Sequence, residues 1–305
     1  GGVAGGATVA ARLRRMDEKA NIVLFERGKY VSYANCGLPY YIGDTINNRE
    51  KLFVQTVKGF TDRFRIDIRT EQEVTAIRPD KKEVEVKNLS TGEIYTETYD
   101  KLVLSPGAEP LRPGIEGIGS KKIFTLRNVP DTDTIKNYIN IEKPKRAIVV
   151  GGGFIGLEMA NQVMAPLDFS MAAIVHQQLT DKGVGLHLED GVSRFEEKDG
   201  GVTVHLRSGK QIATDMVLLS IGVRPETKLA KEAGLAIGER GGIAVNDYMQ
   251  TSDADIYALG DATEVKNLVT GQPSLIPLAG PANKQGRIVA DNIISVSYTH
   301  LRAHE

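Results

Sequence analysis

One cysteine, Cys36, occurs in the 305 residues. Alone, it forms no internal disulfide. Its thiolate can attack a substrate disulfide, hold a mixed disulfide, or be oxidised to a sulfenic acid. An isolated cysteine is usually a small buried hydrophobe, so its surroundings decide between the readings. Cys36 sits in Ser32-Tyr33-Ala34-Asn35-Cys36-Gly37-Leu38-Pro39-Tyr40-Tyr41, one short connection after a predicted strand ending at Phe25-Glu26. Open α/β sheets bind ligands beyond such strand ends. Gly37 leaves room for a flat ring or a second sulfur to approach. A redox role follows if the chain also holds a redox cofactor.

Two glycine loops bear on that condition. Gly1-Gly2-Val3-Ala4-Gly5-Gly6 is an imperfect G-x-G-x-x-G, with Val3 in the middle glycine's place. Its context strengthens it: a helix is expected over 7–17, a strand over 22–25, and Glu26 closes that strand. An acid at that spacing accepts hydrogen bonds from an adenosine ribose. A dinucleotide loop follows a strand, so a strand is expected ahead of Gly1. The second loop, Gly151-Gly152-Gly153-Phe154-Ile155-Gly156-Leu157-Glu158, is a full match after a predicted strand over 146–150. A chain with two such loops holds two dinucleotides, each pyrophosphate at a helix N-terminus.

The second loop lacks its sequel. The offset that leads from Gly1 to Glu26 leads from Gly151 to His176, inside a helix predicted over 169–180. Pro166 limits the preceding helix to about ten residues, short for a crossover. The strand that would end in an acid is therefore expected to be absent.

The remaining elements position these pieces. Residues 60–65 read as a helix, and 66–69 and 74–77 as short strands. Residues 84–88 and 94–99 form a hairpin around Ser90-Thr91-Gly92. A buried-type strand over 101–104 ends in Ser105-Pro106-Gly107-Ala108-Glu109-Pro110, which reads either as a domain crossing close to a bound dinucleotide or as a simple turn. Residues 184–188 read as a strand, and 192–195, 202–206 and 210–213 as a meander. A buried strand over 215–221 runs into Gly222-Val223-Arg224-Pro225, a turn of the same type. A strand over 256–262 ends in Gly260-Asp261, and 277–287 leads into a helix reaching Ile294.

Charge is balanced, 38 Lys+Arg against 39 Asp+Glu, which argues against nucleic acid as a partner. Arg12 and Arg15 are three apart on the first predicted helix, so they share a face. They could grip phosphates; a solvated basic face is the alternative. No apolar run reaches the length of a membrane span. One cysteine without a signal peptide fits a reducing cytoplasm. No metal is expected.

With these residues placed, the chain resembles the flavoprotein pyridine nucleotide–disulfide oxidoreductases. The nearest branch is the single-cysteine group of coenzyme A disulfide reductases, NADH-dependent persulfide reductases and NADH oxidases. Residues 32–41, 151–158, 257–262 and 277–287 carry the resemblance. It implies that Gly1, Gly5 and Gly6 take the FAD pyrophosphate and Glu26 the adenosine ribose. It places the Val74 backbone near the adenine, and Ser105 and Gly107 along the FAD site. Asp261 would bond the ribityl chain or pyrophosphate, and Ala279 would sit near the isoalloxazine. Cys36 becomes the redox sulfur, with Asn35 beside it. Thr8, Arg12, Arg15, Ser32 and Asn35 match coenzyme A contacts. Gly151, Gly153, Gly156 and Glu158 would position NAD(P)H. Peroxidases and water-forming oxidases of this group resemble one another in a histidine where this chain has Ala4. Alanine does no acid–base work on peroxide, so Ala4 points to disulfide or persulfide reduction.

The expectation is thus an α/β chain with two Rossmann-like dinucleotide-binding domains, each with a β-meander. The FAD domain is discontinuous, over 1–114 plus 243–294. The NAD(P) domain covers 115–242 and is shortened near 160. Residues 295–305 read as a tail that does not resemble the family's interface domain. The expected reaction passes electrons from NAD(P)H through FAD and Cys36 to a small disulfide or persulfide, coenzyme A disulfide above all. An NADH oxidase with Cys36 as a sulfenic acid is one alternative, and a non-catalytic flavin-binding redox sensor is another. The resemblance implies a homodimer for the full-length protein, with neither nucleic acid nor membrane as partner.

Overall fold

The computed structural model describes residues 1–151 and 169–294. They belong to two compact units. One comprises Gly1–Tyr33, Phe53–Glu109 and the chain from Arg224 onward; the other comprises Ala34–Leu52 and Pro110–Val223. Two of the boundaries between them, 109/110 and 223/224, fall inside the short strands Ala108–Pro110 and Val223–Pro225, where the sequence suggests turns; Gly107 and Gly222, with positive φ, precede them. The first unit holds the helices α1 (Gly5–Met16) and α3 (Val57–Phe64), and the second α2 (Leu38–Ile42) and α4 (Val129–Glu142).

In the first unit, α1 buries a face of small residues, Gly5, Gly6, Ala7, Ala10 and Ala11. Small residues let a second helix, Ala279–Ile294, come close. A Cβ on Gly286 would lie 3.0 Å from the Gly5 carbonyl oxygen. The buried Arg14 guanidinium donates to the carbonyls of Asp17, Glu18, Phe64 and Arg65. It thereby satisfies orphan carbonyls at the ends of both α1 and α3. Thr56 caps α3 by accepting from the Gly59 N–H at 3.0 Å.

Two parallel pairs carry this unit's nucleotide framework. Val23–Glu26 pairs with Asp67–Thr70, and Leu102–Leu104 with Ile256–Ala258. An antiparallel sheet of Gln72–Arg78, Glu83–Asn88 and Ile94–Thr98 forms the meander. Its hairpin turns on Asn88, whose Oδ1 accepts from the Ser90 and Thr91 N–H groups. The strand expected over 256–262 stops at Ala258, and Gly260–Ala262 forms a 3-10 turn instead. Gly260 adopts φ +77 there, which breaks the ladder.

In the second unit a parallel sheet runs in the order Ile123–Phe124, Met216–Leu219, Ala147–Val150. All four residues of the central strand are buried. Among the described residues Ala147–Val150 pairs on one side only, and none of its four residues is fully buried. Val192–Lys198, Gly201–Leu206 and Gln211–Thr214 form the second meander. The helix expected over 169–180 runs Phe169–Asp181.

Residues 184–188 are not a strand. Gly183 takes φ +80 and donates to the Thr180 carbonyl at 2.9 Å, while the Val184 N–H reaches the Leu179 carbonyl at 3.0 Å. This glycine-terminated helix end uses the N–H that a ladder would have needed.

Candidate functional site

The first glycine loop is built by close backbone approach. The Ser105 hydroxyl donates to the Gly1 carbonyl at 2.9 Å. A Cβ on Gly1 would lie 2.1 Å from the Ser105 carbonyl oxygen, one on Gly6 1.9 Å from the Gly1 carbonyl oxygen, and one on Gly5 2.3 Å from Leu259 Cδ1. Backbone oxygens bar a side chain at Gly1 and Gly6, and one at Gly5 would have to displace the buried Leu259. The first turn of α1 has neither a side-chain cap nor an acid. Its N–H groups and the positive end of its dipole suit an anion such as a pyrophosphate.

Glu26 closes its strand as expected. Its Oε2 accepts from the Gly2 N–H at 2.7 Å and its Oε1 from the Gly28 N–H at 2.8 Å. A carboxylate has about four acceptor positions, so ribose hydroxyls can be accepted as well. Gly2 has no place in the motif spacing, yet it joins the parts: its carbonyl also accepts the Ser32 N–H at 2.8 Å. Ser32 is held in the left-handed region, φ +49, and its own carbonyl accepts from Val54 at 2.8 Å. A non-glycine residue keeps that conformation only where neighbours over-determine it.

The other expected cofactor residues of this unit are spread over its strand ends. Val74 lies at a bulge in Gln72–Arg78, opposite Val86. Gly107 adopts φ +76 and its carbonyl accepts the Glu226 N–H at 2.9 Å. Asp261 is half-buried in the 3-10 turn, and Ala279 is exposed at the start of its helix. Gln285 is a residue the sequence reading passes over. It is 3% exposed, and its Oε1 accepts the Gly260 N–H at 2.7 Å. Its neighbours Asn283, Lys284 and Arg287 are polar, so the sequence gives no signal that this amide is buried.

Of the expected coenzyme A contacts, Thr8 donates to Asn283 Oδ1 at 2.8 Å. Arg12 donates twice to Asp291, at 2.5 and 2.8 Å. Arg15 is exposed, and its guanidinium lies 5.4 Å from the centre of the Phe64 ring.

In the second unit Asn35-Cys36-Gly37 form a 3-10 turn that leads into α2. Cys36 and Asn35 are exposed, whereas Gly37 is buried with Leu52 Cδ2 3.2 Å from where its Cβ would be. Leu38, Pro39 and Ile42 are buried beneath. The Ala34 N–H donates to the Leu52 carbonyl at 2.8 Å and closes the segment at its base. The result is an exposed thiol on an anchored turn. Gly151 has φ +105, and its Cβ would lie 2.3 Å from the Ser220 carbonyl oxygen. Glycine is thus required where the second loop leaves its strand. Gly153, Gly156 and Glu158 lie outside the described residues, as does the expected gap after Ala160.

The sequence profile of the pyridine nucleotide-disulphide oxidoreductases matches residues 1–286. A coenzyme A disulfide reductase of Staphylococcus epidermidis is 34% identical over 319 residues, covering 100% of this chain and 72% of that protein. The solved structure of reduced Bacillus anthracis CoADR-RHD is 54% identical with a TM-score of 0.94, covering 98% of this chain and 57% of that one. A NAD-dependent persulfide reductase from A. fulgidus is 36% identical with a TM-score of 0.94, covering 98% of this chain and 59% of that one. This chain therefore spans less than two thirds of either solved chain.

Proposed function

The chain belongs to the pyridine nucleotide-disulphide oxidoreductases, and from that premise we propose that it passes electrons from NAD(P)H through FAD and Cys36 to a small disulfide or persulfide, coenzyme A disulfide first among them. The observation that carries this reading is the placement of the one cysteine, exposed on a turn whose neighbour Gly37 is buried. The coenzyme A disulfide reductase and persulfide reductase among its relatives support the substrate class.

The cofactors are FAD and NAD(P)H. Residues 1–114 plus 243–294 form the FAD domain in this reading, and 115–242 the NAD(P) domain; the segment Ala34–Leu52, which belongs to the second compact unit, is counted with the FAD domain by its place in the sequence. Gly1, Gly5, Gly6 and the α1 N-terminus hold the FAD pyrophosphate, and Glu26 the ribose. Val74, Ser105, Gly107, Asp261 and Ala279 line the remainder. Gly151, Gly153, Gly156 and Glu158 hold the nicotinamide dinucleotide. When bound, FAD supplies a two-electron relay between nicotinamide and sulfur.

Cys36 does the sulfur chemistry. Its thiolate attacks one sulfur of the substrate; the sulfur–sulfur bond breaks and one thiolate leaves. Cys36 is left in a mixed disulfide with the other half. Two electrons from NAD(P)H break that bond, release the second thiolate and restore the Cys36 thiolate. At neutral pH both products take up protons, so one NAD(P)H and one proton yield two thiols. Asn35, Ser32, Thr8, Arg12 and Arg15 make the contacts to coenzyme A. A homodimer acting in a reducing cytoplasm completes the reading. Oxygen reduction is the second reading, and Ala4 at the N-cap of α1 counts against it because a methyl group moves no proton.

The test is NADH consumption by the flavin-loaded protein with coenzyme A disulfide as sole acceptor. Two thiols should appear per NADH. A flavin that NADH reduces and coenzyme A disulfide leaves reduced would overturn the proposal.

A further inference from the structure

The segment that carries Cys36 is fastened to α4 at two points, all within the second unit. Lys136 on α4 is 8% exposed. Its Nζ donates to the Ile42 carbonyl at 3.0 Å and to Asp44 Oδ1 at 2.6 Å, with the Tyr41 ring centre 5.8 Å away. Nearby on the same face, Asp133 accepts from Arg49 Nε at 2.8 Å and Nη2 at 2.7 Å. Positions three apart on a helix are neighbours. The two pairs are reciprocal: α4 offers a cation to an acid of the segment and an acid to a cation of it.

A lysine on a helix normally keeps its ammonium in water. Burying one costs free energy unless its charge is met, so packing alone would favour leucine or methionine here. What Lys136 holds is informative. The Ile42 carbonyl ends α2, where helix carbonyls lack intrahelical partners. Asp44 stands in the left-handed region at φ +61, a conformation that a non-glycine residue keeps only under restraint. Only Gly37 separates Cys36 from the start of α2 at Leu38. With the segment closed at Ala34 and Leu52, fixing the end of α2 fixes the turn that presents the sulfur. At the other side of α4, Tyr138 Oη donates to the Asp215 carbonyl at 2.8 Å and the ring lies 5.0 Å from that of Phe124. The same helix is thus tied to the parallel sheet that leads into Gly151.

We propose that Lys136 and Asp133 are positioning residues for Cys36: α4 sets where the sulfur stands and makes it move with the parallel sheet of its own unit. The proposal rests on Cys36 being the redox sulfur.

The test compares Lys136→Met, Lys136→Arg, Asp133→Asn and Asp44→Asn in the flavin-loaded protein. Asp44 is a largely exposed side chain, so its variant preserves the fold if Lys136→Met does not. Three rates are followed: alkylation of Cys36 by iodoacetamide across pH, reduction of bound flavin by NADH, and disulfide turnover. A small misplacement of a reacting atom costs large factors, so turnover in Lys136→Met should fall by roughly tenfold or more. The alkylation profile should change with it, flavin reduction should stay within about twofold, and Lys136→Arg should recover most of the loss. Asp133→Asn and Asp44→Asn should shift the same two rates in the same direction. Equal losses in both half-reactions, or an unchanged alkylation profile, would overturn the proposal. If Cys36→Ser still reduced disulfides, the redox reading would fail, while alkylation would still report whether α4 holds the thiol.

Discussion

Arg12 on α1 and Asp291 on the Ala279–Ile294 helix form a two-pronged ion pair, Nε to Oδ1 at 2.5 Å and Nη2 to Oδ2 at 2.8 Å. Bidentate geometry is the strong form of this interaction. The Asp291 side chain is 16% exposed and that of Arg12 37%, so the carboxylate depends on the arginine more than the reverse. Arg12→Ala leaves that carboxylate uncompensated. Stability should fall by roughly 1–3 kcal/mol, read as a lower Tm, and Asp291→Asn added to it should recover part of the loss. No recovery in the double variant would mean that the pair is incidental.

Arg15 separates substrate binding from stability. It is exposed and stacks on Phe64, so Arg15→Ala should leave Tm nearly unchanged. A charge-assisted contact to phosphate is worth roughly 1.5–3 kcal/mol, so KM for coenzyme A disulfide should rise about tenfold or more. A disulfide without phosphates should be barely affected. Equal losses for both substrates would assign the arginine a structural role.

Cys36→Ser tests the sulfur directly. A serine alkoxide does not form near neutral pH and stores no redox equivalent. The variant should retain bound flavin and its reduction by NADH, and lose disulfide reduction. Undiminished turnover would remove Cys36 from the mechanism.

What was legible in the sequence was what short spacing encodes. Gly1, Gly5, Gly6 and Glu26 stand where a loop–helix–strand unit requires them, and the structure gives each glycine a steric reason. Pairs across the fold were not legible. Arg12 and Asp291 are 279 positions apart, and Lys136 and Ile42 are 94 apart. No periodicity along one helix tells which residue of another will face it. The misread stretch 184–188 shows the converse failure. Its apolar alternation suits a strand, but Gly183 commits the following N–H to ending a helix.

The glycine cradle gives a flavin-binding prediction with an internal control. Gly6→Ala would bring a methyl to 1.9 Å from the Gly1 carbonyl oxygen, whereas Gly43→Ala meets nothing closer than 3.6 Å. Gly6→Ala should therefore purify with little flavin absorbance and Gly43→Ala with the normal amount. Full flavin content in Gly6→Ala would show that the loop adjusts freely.

Asp255 sets an acid limit on the first unit. Lys101 and Lys82 hydrogen-bond its carboxylate and hold its pKa down at about 2, from an ordinary 3.8. A depressed carboxylate contributes stability above its unfolded value, and that contribution is lost as pH falls through the folded value. Tm should thus drop between about pH 4 and about pH 2, and Asp255→Asn should flatten that drop while lowering Tm at neutral pH. An unchanged slope would mean that solvent screens the cluster completely.

The last prediction concerns the second nucleotide unit. A Rossmann half holds its dinucleotide through a glycine loop, the helix that loop opens, and an acid at the end of the next strand. Ala147–Val150 and Gly151 are in place, but among the described residues the strand pairs only with Met216–Leu219. Ile148, Val149 and Val150 are half-buried. The sequence reading places the loss of a helix–strand piece after Ala160, outside the described residues. Loss of the ribose contact alone should cost on the order of 1.5–3 kcal/mol, as for a hydrogen bond to a charged group, and the packing defect adds to it. The chain as written should therefore bind NADH weakly. Stopped-flow reduction of its flavin by NADH should be at least tenfold slower at subsaturating NADH than in a chain with the helix–strand piece restored. Equal rates in the two chains would show that the second unit binds its dinucleotide without that strand.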